Sequence, residues 1–295
     1  MKIIIYHYIK INFNLKMQAF AIENQRTGYQ YLDTLSLGES YDLFEVKDSS
    51  DHIFAMKIFK KRKYDSKLLN EIEKGIYINS KKEVQSFFVK YITSESVLKT
   101  KHTFIIYELA ERKTLKDFLM IRQRFDEKLS LTIFKKIAEL VDSLHKIGLT
   151  HTNLELDNFL LDANKNLKIS GFSSMQFIQK EINDFQNDNF HLSILLFQLL
   201  TGKCYIKNQE SQFLKIIQEG KLSFFWKSIE LQNNQKFSEK IKNLINKMFQ
   251  AKNIIIDLDE ILNDNNYWFN NIQQNDFDTY IKNAFKNLEA IDESY

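Results

Sequence analysis

The chain has 295 residues, of which 44% are hydrophobic, so it can bury the core of one or two globular domains. Its 41 basic and 38 acidic residues leave a net charge of +3, which is too small to indicate a nucleic-acid or membrane partner. The one cysteine, Cys204, excludes an internal disulfide and a cysteine-based zinc site, so a reducing, cytoplasmic location is expected. No apolar stretch reaches the roughly 20 residues of a membrane span.

The N-terminal residues 1–16 are apolar and basic, as in a secretory signal peptide. However, His7 and Lys10 interrupt the apolar run, and no small-residue cleavage site follows it. We therefore expect an extension over residues 1–30 that lies outside the folded domain, and no signal peptide.

The first third of the chain predicts a small sheet with one helix. From Tyr31 to Lys57, short apolar and polar stretches alternate around Gly38 and a polar turn at 48–51, which indicates a β-meander. Two further apolar runs predict strands over 87–92 and 104–107. Between them and the meander, apolar residues recur at helical spacing; these are Leu68, Leu69, Ile72 and Ile76.

After Thr114 the pattern is mainly helical. A helix with one apolar face is predicted to end at Gly148, and an apolar helix over 190–200 is predicted to end at Gly202. The apolar face of the first of these helices consists of Phe134, Ile137, Leu140, Val141 and Leu144. Between the two helices, short strands are predicted over 159–161 and 167–169. Further helices are predicted over 213–219, 238–249 and 258–262.

The C-terminal tail, residues 273–295, is predicted to be helical because apolar residues recur along it at helical spacing. These residues are Phe277, Ile281, Ala284, Phe285 and Leu288. The stripe can pack on its own domain or bind a partner, and both interpretations stay open.

Four sequence motifs occur in the order in which the protein kinase family carries them. The motif Phe54-Ala55-Met56-Lys57 resembles the strand whose lysine binds nucleotide phosphates. Residues 149–161 resemble the catalytic loop, with His151-Thr152-Asn153 in place of His-Arg-Asp. Residues 169–173 resemble the metal-binding Asp-Phe-Gly segment, and residues 188–202 resemble the central helix of the large lobe.

The resemblance implies an α+β, bilobal fold over about residues 31–272. A small β-rich N-lobe with one main helix would cover about 31–107, followed by a hinge over about 108–113. A larger, mainly helical C-lobe would cover about 114–272.

The resemblance also implies that the residues for phosphoryl transfer are degenerate. Asn153 stands where the family has the aspartate that accepts the proton of the substrate hydroxyl, and a neutral amide cannot act as that base. Gly171 stands where an aspartate binds magnesium, and glycine has no side chain to offer. Glu155 replaces a lysine that faces the transferred phosphate, so it either repels that phosphate or is a solvated loop charge. The chain is therefore identified as a degenerate member of the family, a pseudokinase.

Asn158 matches the family's remaining magnesium ligand. A lone amide is a weak metal site, and a turn residue that bonds nearby backbone is at least as good an interpretation. We therefore expect no required cofactor, no magnesium binding and at most weak ATP binding.

Lys57 is the main retained residue of the nucleotide site. Its partner on the following helix would be Glu73 or, less favourably, Glu71, and Glu73 is preferred because it shares a helical face with Leu69 and Ile76. The pair would either hold a nucleotide or only tie the helix to the sheet, and both interpretations stay open. The other positions that match a nucleotide pocket are Gly38, Ala55, Glu108, Ala110 and Leu160.

The activation segment is predicted to be missing. Only seventeen positions separate Gly171 from Asp188, and residues 173–187 contain no recognisable Ala-Pro-Glu anchor. The arginine that normally pairs with the anchor corresponds to Ile255. The joint loss leaves no stranded buried charge, which favours a stable fold over a damaged enzyme.

These features predict a catalytically inactive kinase-like domain that acts as an interaction scaffold or allosteric regulator. Its partner would be a protein, for which an active kinase is one candidate. The alternative is a weak or atypical ATP-dependent phosphotransferase, similar to serine/threonine kinases, with residual nucleotide binding. A degenerate gene product that folds poorly is a third alternative.

Overall fold

The structure, a computed structural model, describes residues 28–60, 66–97, 102–110, 114–162, 164, 166–178, 183–202, 215–216, 219–252, 254–263, 268–269 and 283. The chain divides into two compact units. The first comprises Met1–Asn79 and Val89–Arg112, and the second comprises Ser80–Phe88 and Lys113–Tyr295. The predicted α+β fold, with a β-rich N-terminal region and a helical C-terminal region, is confirmed.

The first unit contains a five-stranded antiparallel sheet and a helix. The strands are β1 (Gln30–Leu37), β2 (Tyr41–Lys47), β3 (Ile53–Phe59), β4 (Tyr91–Val97) and β5 (His102–Glu108), and the helix is α1 (Ser66–Asn79). The strand order in the sheet is β1-β2-β3-β5-β4. The predicted polar turn joins β2 to β3, where the Asp48 carboxylate accepts the backbone N–H groups of Ser50 and His52.

Because side chains alternate along each strand, the sheet has two different faces. One face carries the hydrophobic core of the first unit, which consists of Phe44, Val46, Met56, Phe104 and Ile106. The opposite face carries Lys57, whose neighbours in the strand register are Leu43 on β2 and Ile105 on β5. Tyr41 on β2 and Tyr107 on β5, which are discussed below, lie on this second face with Lys57.

The strand predicted over 87–92 is wrong in its position. Residues Gln85–Phe87 form a 3-10 helix, and β4 begins only at Tyr91. Phe88 is buried and forms an isolated bridge with Ile169, a residue that belongs, like Phe88, to the second unit. The apolar run is therefore explained in part by packing within the second unit.

The second unit is mainly helical. Its helices are α2 (Leu115–Arg122), α3 (Glu127–Lys146), α4 (Asn183–Thr201), α5 (Leu222–Asn233), α6 (Glu239–Phe249) and α7 (Leu258–Asn263). Its short strands are β6 (Leu149–Thr150), β7 (Phe159–Leu161), β8 (Leu167–Ile169) and β9 (Gln176–Phe177), and they pair as β6 with β9 and β7 with β8.

Helix α3 shows how closely local sequence signals can define a helix. It begins after Asp126, whose carboxylate accepts the N–H of Leu129 over 2.8 Å. It ends just before Gly148, which has a φ of +80° that favours glycine. The predicted apolar face is buried over its whole length, at Phe134, Ile137, Leu140, Val141 and Leu144.

Other helices were harder to predict. Helix α4 begins at Asn183, well before the predicted start at Phe190. The first turns were not predicted because residues 183–189 are mostly polar and show no apolar periodicity. Helix α5 was not predicted, because its apolar residues do not mark one face. Trp226 is buried, whereas Phe224 is exposed. The predicted N-terminal extension, the helix over 213–219 and the tail helix lie almost entirely outside the described residues. Among the described residues, none of the helices combines the length and the apolar content that a membrane span requires.

Candidate functional site

Lys57 on β3 forms a buried ion pair with Glu71 on α1. Its ammonium group donates hydrogen bonds to both carboxylate oxygens, over 2.7 and 2.8 Å. Both side chains are almost fully buried, so salt screens the pair only weakly. A lysine on this strand does pair with an acid on the following helix, but the acid is not Glu73.

The preference for Glu73 is wrong because α1 buries a different face from the one that its apolar residues suggested. Glu73 is exposed, and its carboxylate pairs with Lys74 over 2.8 Å. Leu69 and Ile76, which mark the face of Glu73, are 50% and 56% exposed. The buried residues of α1 are Leu68, Glu71, Lys74, Gly75 and Ile78.

Tyr107 on β5 completes the buried cluster around Glu71. Its hydroxyl group donates a hydrogen bond to Oε1 of Glu71 over 2.7 Å. Burial, and then the charge of Glu71, raise the pKa of Tyr107 well above its ordinary value, so the phenol remains a donor at neutral pH. Gly75 lets α1 approach the sheet closely, since a Cβ at this position would lie 2.9 Å from the Tyr91 side chain.

Four other residues of the predicted nucleotide pocket belong to the first unit. Gly38 lies in the turn between β1 and β2, and Ala55 is buried on β3. Glu108 ends β5, and its carboxylate accepts the backbone N–H of Lys90 over 2.9 Å. Ala110 is half-buried beyond the end of β5. The Glu108 side chain is thus bonded within the first unit, to the segment that precedes β4.

In the second unit, Asp188 on α4 fixes the segment that resembles a catalytic loop. Its carboxylate accepts the backbone N–H groups of His151 and Thr152, each over 2.8 Å, and lies 3.0 Å from Nε2 of His145. Burial by itself would raise the pKa of Asp188, but the hydrogen bond with His145 and the loop bonds lower it, so the carboxylate stays ionised. This role of Asp188 was not predicted, and its signal in the sequence is an acid just before the apolar run over 190–200.

Asn153 lies in this loop, and Asn158 ends a short 3-10 helix that follows it. The side-chain amide of Asn158 donates through Nδ2 to the backbone carbonyl of Asn153 over 2.8 Å. The backbone carbonyl of Asn158 accepts the N–H of Ser170 over 2.8 Å. Asn158 thus holds nearby backbone, and neither bond involves Oδ1, the atom that would bind a metal.

Gly171 adopts a left-handed backbone conformation with a φ of +85°. A Cβ at this position would lie 2.7 Å from Oδ1 of Asn158 and 3.3 Å from Cε1 of His151. Both the backbone conformation and the surrounding volume therefore oppose a side chain here. The next residue, Phe172, is buried and packs against Phe88, with their ring centroids 6.4 Å apart.

Glu155 and Leu160 are both half-buried in the second unit, Glu155 before the 3-10 helix and Leu160 on β7. Ile255, which corresponds to the arginine of the activation-segment anchor, is exposed, so no acidic partner is needed at this position. Over the ranges that the structure describes, no group of three or more His, Cys, Asp or Glu side chains is placed to hold a metal ion.

His151 should make the stability of the protein depend on pH. The imidazole is fully buried, and its Nε2 donates to the backbone carbonyl of Ser170 over 2.9 Å. Burial lowers the pKa of His151, although the charge of Asp188 opposes this. Below about pH 6.5 the unfolded chain therefore binds a proton that the folded chain does not bind. The free energy of unfolding should fall there by up to about 1.4 kcal/mol per pH unit.

We expect His151→Phe to reduce this slope between pH 7.5 and 5.5, as measured by urea denaturation at each pH. Ile169→Val is a suitable control, since it removes a buried methylene without changing any titratable group and should lower stability equally at every pH. Asp188 does not contribute in this range, because a carboxyl group with a lowered pKa loses its effect only below about pH 5. An unchanged slope in His151→Phe would assign the acid sensitivity to another group.

Comparisons with known proteins identify the family of this chain. The family model that describes the protein kinase domain matches residues 29–187, just over half of the chain. One relative is the NUAK family SNF1-like kinase 2 of Rattus norvegicus, which is 28% identical over 186 residues, 62% of this chain and 29% of that protein. The Homo sapiens protein of the same name is 31% identical over 150 residues, 50% of this chain and 23% of that protein.

A third relative is the serine/threonine-protein kinase cds1 of Schizosaccharomyces pombe, which is 28% identical over 159 residues, 51% of this chain and 34% of that protein. The chain thus spans about a quarter to a third of the length of these curated relatives. The family match covers the Lys57 strand, the segment with Asn153 and the segment with Gly171. This chain belongs to the protein kinase family, and its relatives include serine/threonine kinases.

Proposed function

We propose that this chain is a catalytically inactive kinase-like domain that acts by binding a protein partner, as a scaffold or an allosteric regulator. The observation that carries the proposal is the environment of Gly171. The carboxylate that would bind magnesium is absent, and the space where its side chain would begin lies 2.7 Å from Oδ1 of Asn158. A metal-binding side chain could therefore be placed here only if the Asn158 amide moved aside.

The residues at the catalytic positions do not fit a magnesium-bound nucleotide. Magnesium prefers anionic oxygen ligands, and Gly171 offers none. Asn153 carries an amide where a base is needed, and an amide cannot accept the proton of a hydroxyl group. Asn158 retains an amide oxygen, but a single neutral oxygen is a poor magnesium site without a carboxylate beside it.

The packing of the second unit supports a functional protein over a degenerate one. The Asp188 carboxylate still holds two backbone N–H groups of the loop that contains Asn153. A buried carboxylate of this kind contributes to stability only while all its partners remain in place. Retention of the loop without its base suggests that the fold serves an activity other than phosphoryl transfer, and protein binding is the simplest such activity.

The Lys57–Glu71 pair is the feature on which the alternative of a weak phosphotransferase depends. Kinases that transfer phosphate need a lysine on this strand paired with a helix glutamate. The same pair also ties α1 to the sheet, and by itself it does not discriminate between the two functions.

The test measures transfer of phosphate from radiolabelled ATP to the protein itself and to a generic protein substrate, with magnesium and with manganese. Lys57→Met is the matched control, combined with Glu71→Gln so that no buried charge is left without its partner; it removes the amine from the nucleotide site and keeps an apolar stem. We expect the wild type to incorporate no more label than this double variant. Transfer that disappears in the double variant would contradict the proposal and establish the phosphotransferase alternative.

A further inference from the structure

The ammonium group of Lys57 is enclosed on several sides by residues of the first unit. The Glu71 carboxylate accepts two hydrogen bonds from it, over 2.7 and 2.8 Å. The ring of Tyr41 lies over the same nitrogen, with its centroid 3.9 Å away, and the ring of Phe59 has its centroid 5.3 Å away. An ammonium group has three N–H donors, and two of them are donated to Glu71. The third belongs to the same nitrogen, which the Tyr41 ring covers.

The position of Tyr41 follows from the strand register. Tyr41 pairs with Phe59 across β2 and β3, and Lys57 lies two residues earlier on β3, so all three side chains are on one face of the sheet. The rings of Tyr41 and Phe59 also contact each other, with centroids 6.2 Å apart. Tyr41 is therefore held over Lys57 by the sheet itself.

Lys60 forms hydrogen bonds and an ion pair that hold the turn between β1 and β2 in place. Its ammonium group lies 2.8 Å from Oδ1 of Asp42 and donates a hydrogen bond to the carbonyl of Gly38. Its backbone N–H donates to the carbonyl of Ser40 over 3.1 Å. In the family this turn covers the nucleotide phosphates, and here it is bonded to the residue that follows β3.

We propose that Tyr41 decides whether the first unit accepts a phosphate group, and that it excludes phosphate by covering Lys57. A phosphate oxygen that approached this ammonium group would have to displace the aromatic ring. It would also have to loosen a turn that Lys60 holds at two carbonyls. This inference deepens the proposed function and rests on it, since a domain that lacks the magnesium-binding carboxylate has no use for an open phosphate site.

The first experiment measures the accessibility of Lys57 and does not depend on any nucleotide. Wild type, Tyr41→Ala, Tyr41→Phe and Tyr31→Ala are treated with acetic anhydride, and acetylation of Lys57 is followed by mass spectrometry. We expect Tyr41→Ala to raise the rate about tenfold, which is the size of a partly desolvated cation–π contact. Tyr41→Phe keeps the ring and Tyr31→Ala removes a tyrosine from β1, so neither should change the rate.

The second experiment measures binding of ATP without magnesium by titration calorimetry. We expect Tyr41→Ala to bind about tenfold more tightly than the wild type, and the gain should disappear when Lys57→Met is added. Tyr41→Leu keeps apolar volume without an aromatic face, so it should behave like Tyr41→Ala. Agreement between the two variants would show that the gain does not come from a folding defect. Because Tyr41 is 37% exposed, these variants should fold.

Equal acetylation rates and equal ATP affinities in wild type and Tyr41→Ala would overturn the inference. Tight, Lys57-dependent ATP binding by the wild type would overturn it too. Neither result involves phosphoryl transfer, so both would leave the proposed inactivity standing. Conversely, phosphoryl transfer by the Tyr41→Ala variant would support the inference about Tyr41 and contradict inactivity at the other positions.

Discussion

Replacing Glu71 with glutamine should lower the free energy of unfolding by about 3–5 kcal/mol, because it leaves the buried ammonium group of Lys57 without a counter-charge. Both side chains are almost fully buried, so water cannot replace the lost partner. Glutamine keeps an oxygen that can accept the hydrogen bond of the Tyr107 hydroxyl. The loss should therefore report the charge of the pair and not the shape of the side chain.

Glu73→Gln is the matched control, since it makes the same chemical change two residues away on the exposed face of α1. We expect it to alter stability by no more than about 0.5 kcal/mol. Urea denaturation followed by tryptophan fluorescence and by circular dichroism gives both values. Equal losses in the two variants would mean that the Lys57–Glu71 pair does not contribute as its burial implies.

A double variant separates the cost of a stranded charge from the net value of the pair. Lys57→Met with Glu71→Gln removes both charges, so it should recover much of the stability that Glu71→Gln loses. Failure to recover would place the effect in the packing of α1.

Restoring an aspartate at position 171 should destabilise the protein by about 3 kcal/mol and should not create a magnesium site. Part of the cost is the left-handed φ of +85°, which disfavours any residue with a Cβ by about 1–2 kcal/mol. The rest is overpacking against Oδ1 of Asn158, which a Cβ would approach to 2.7 Å.

Gly148→Asp is the control for the conformational part. Gly148 has a similar φ of +80°, but nothing lies within 4 Å of the place where its Cβ would be. We therefore expect a loss of only about 1–2 kcal/mol, and the difference between the two variants measures the crowding at position 171. Thermal unfolding with ATP, with and without magnesium, tests the site itself.

Magnesium-dependent stabilisation of Gly171→Asp by ATP would contradict this prediction. A functional site saturated at 100 times its dissociation constant would add about 2.7 kcal/mol. Such a gain would mean that Asn158 moves aside easily and that a single substitution separates this chain from a metal-binding kinase.

Much of the fold could be predicted because it depends on local patterns. The burial of the apolar face of α3 and the end of that helix at Gly148 follow from residues close together in the chain. The order of the motifs predicted a β-rich region followed by a helical one, which the structure and the family match both confirm. The chemical identity of Asn153 and Gly171 was likewise visible in the sequence alone.

The partner of Lys57 could not be predicted in the same way. Leu69 and Ile76 indicated one face of α1 as the buried one, and this face also contains Glu73. The sheet instead packs against the face with Gly75, because only a glycine permits close approach to Tyr91. Which apolar residues of a helix face the core depends on what lies opposite, and that information is not in the helix.

The sequence by itself determined which chemical groups this protein has, because a missing carboxylate is missing in any fold. It also determined much of the succession of strands and helices, because periodicity and capping act over a few residues. Only the tertiary structure decided which acid holds Lys57, that Asn158 crowds position 171, and that Tyr41 covers the lysine. These are contacts between residues far apart in the chain or on neighbouring strands, and packing and strand register alone bring them together.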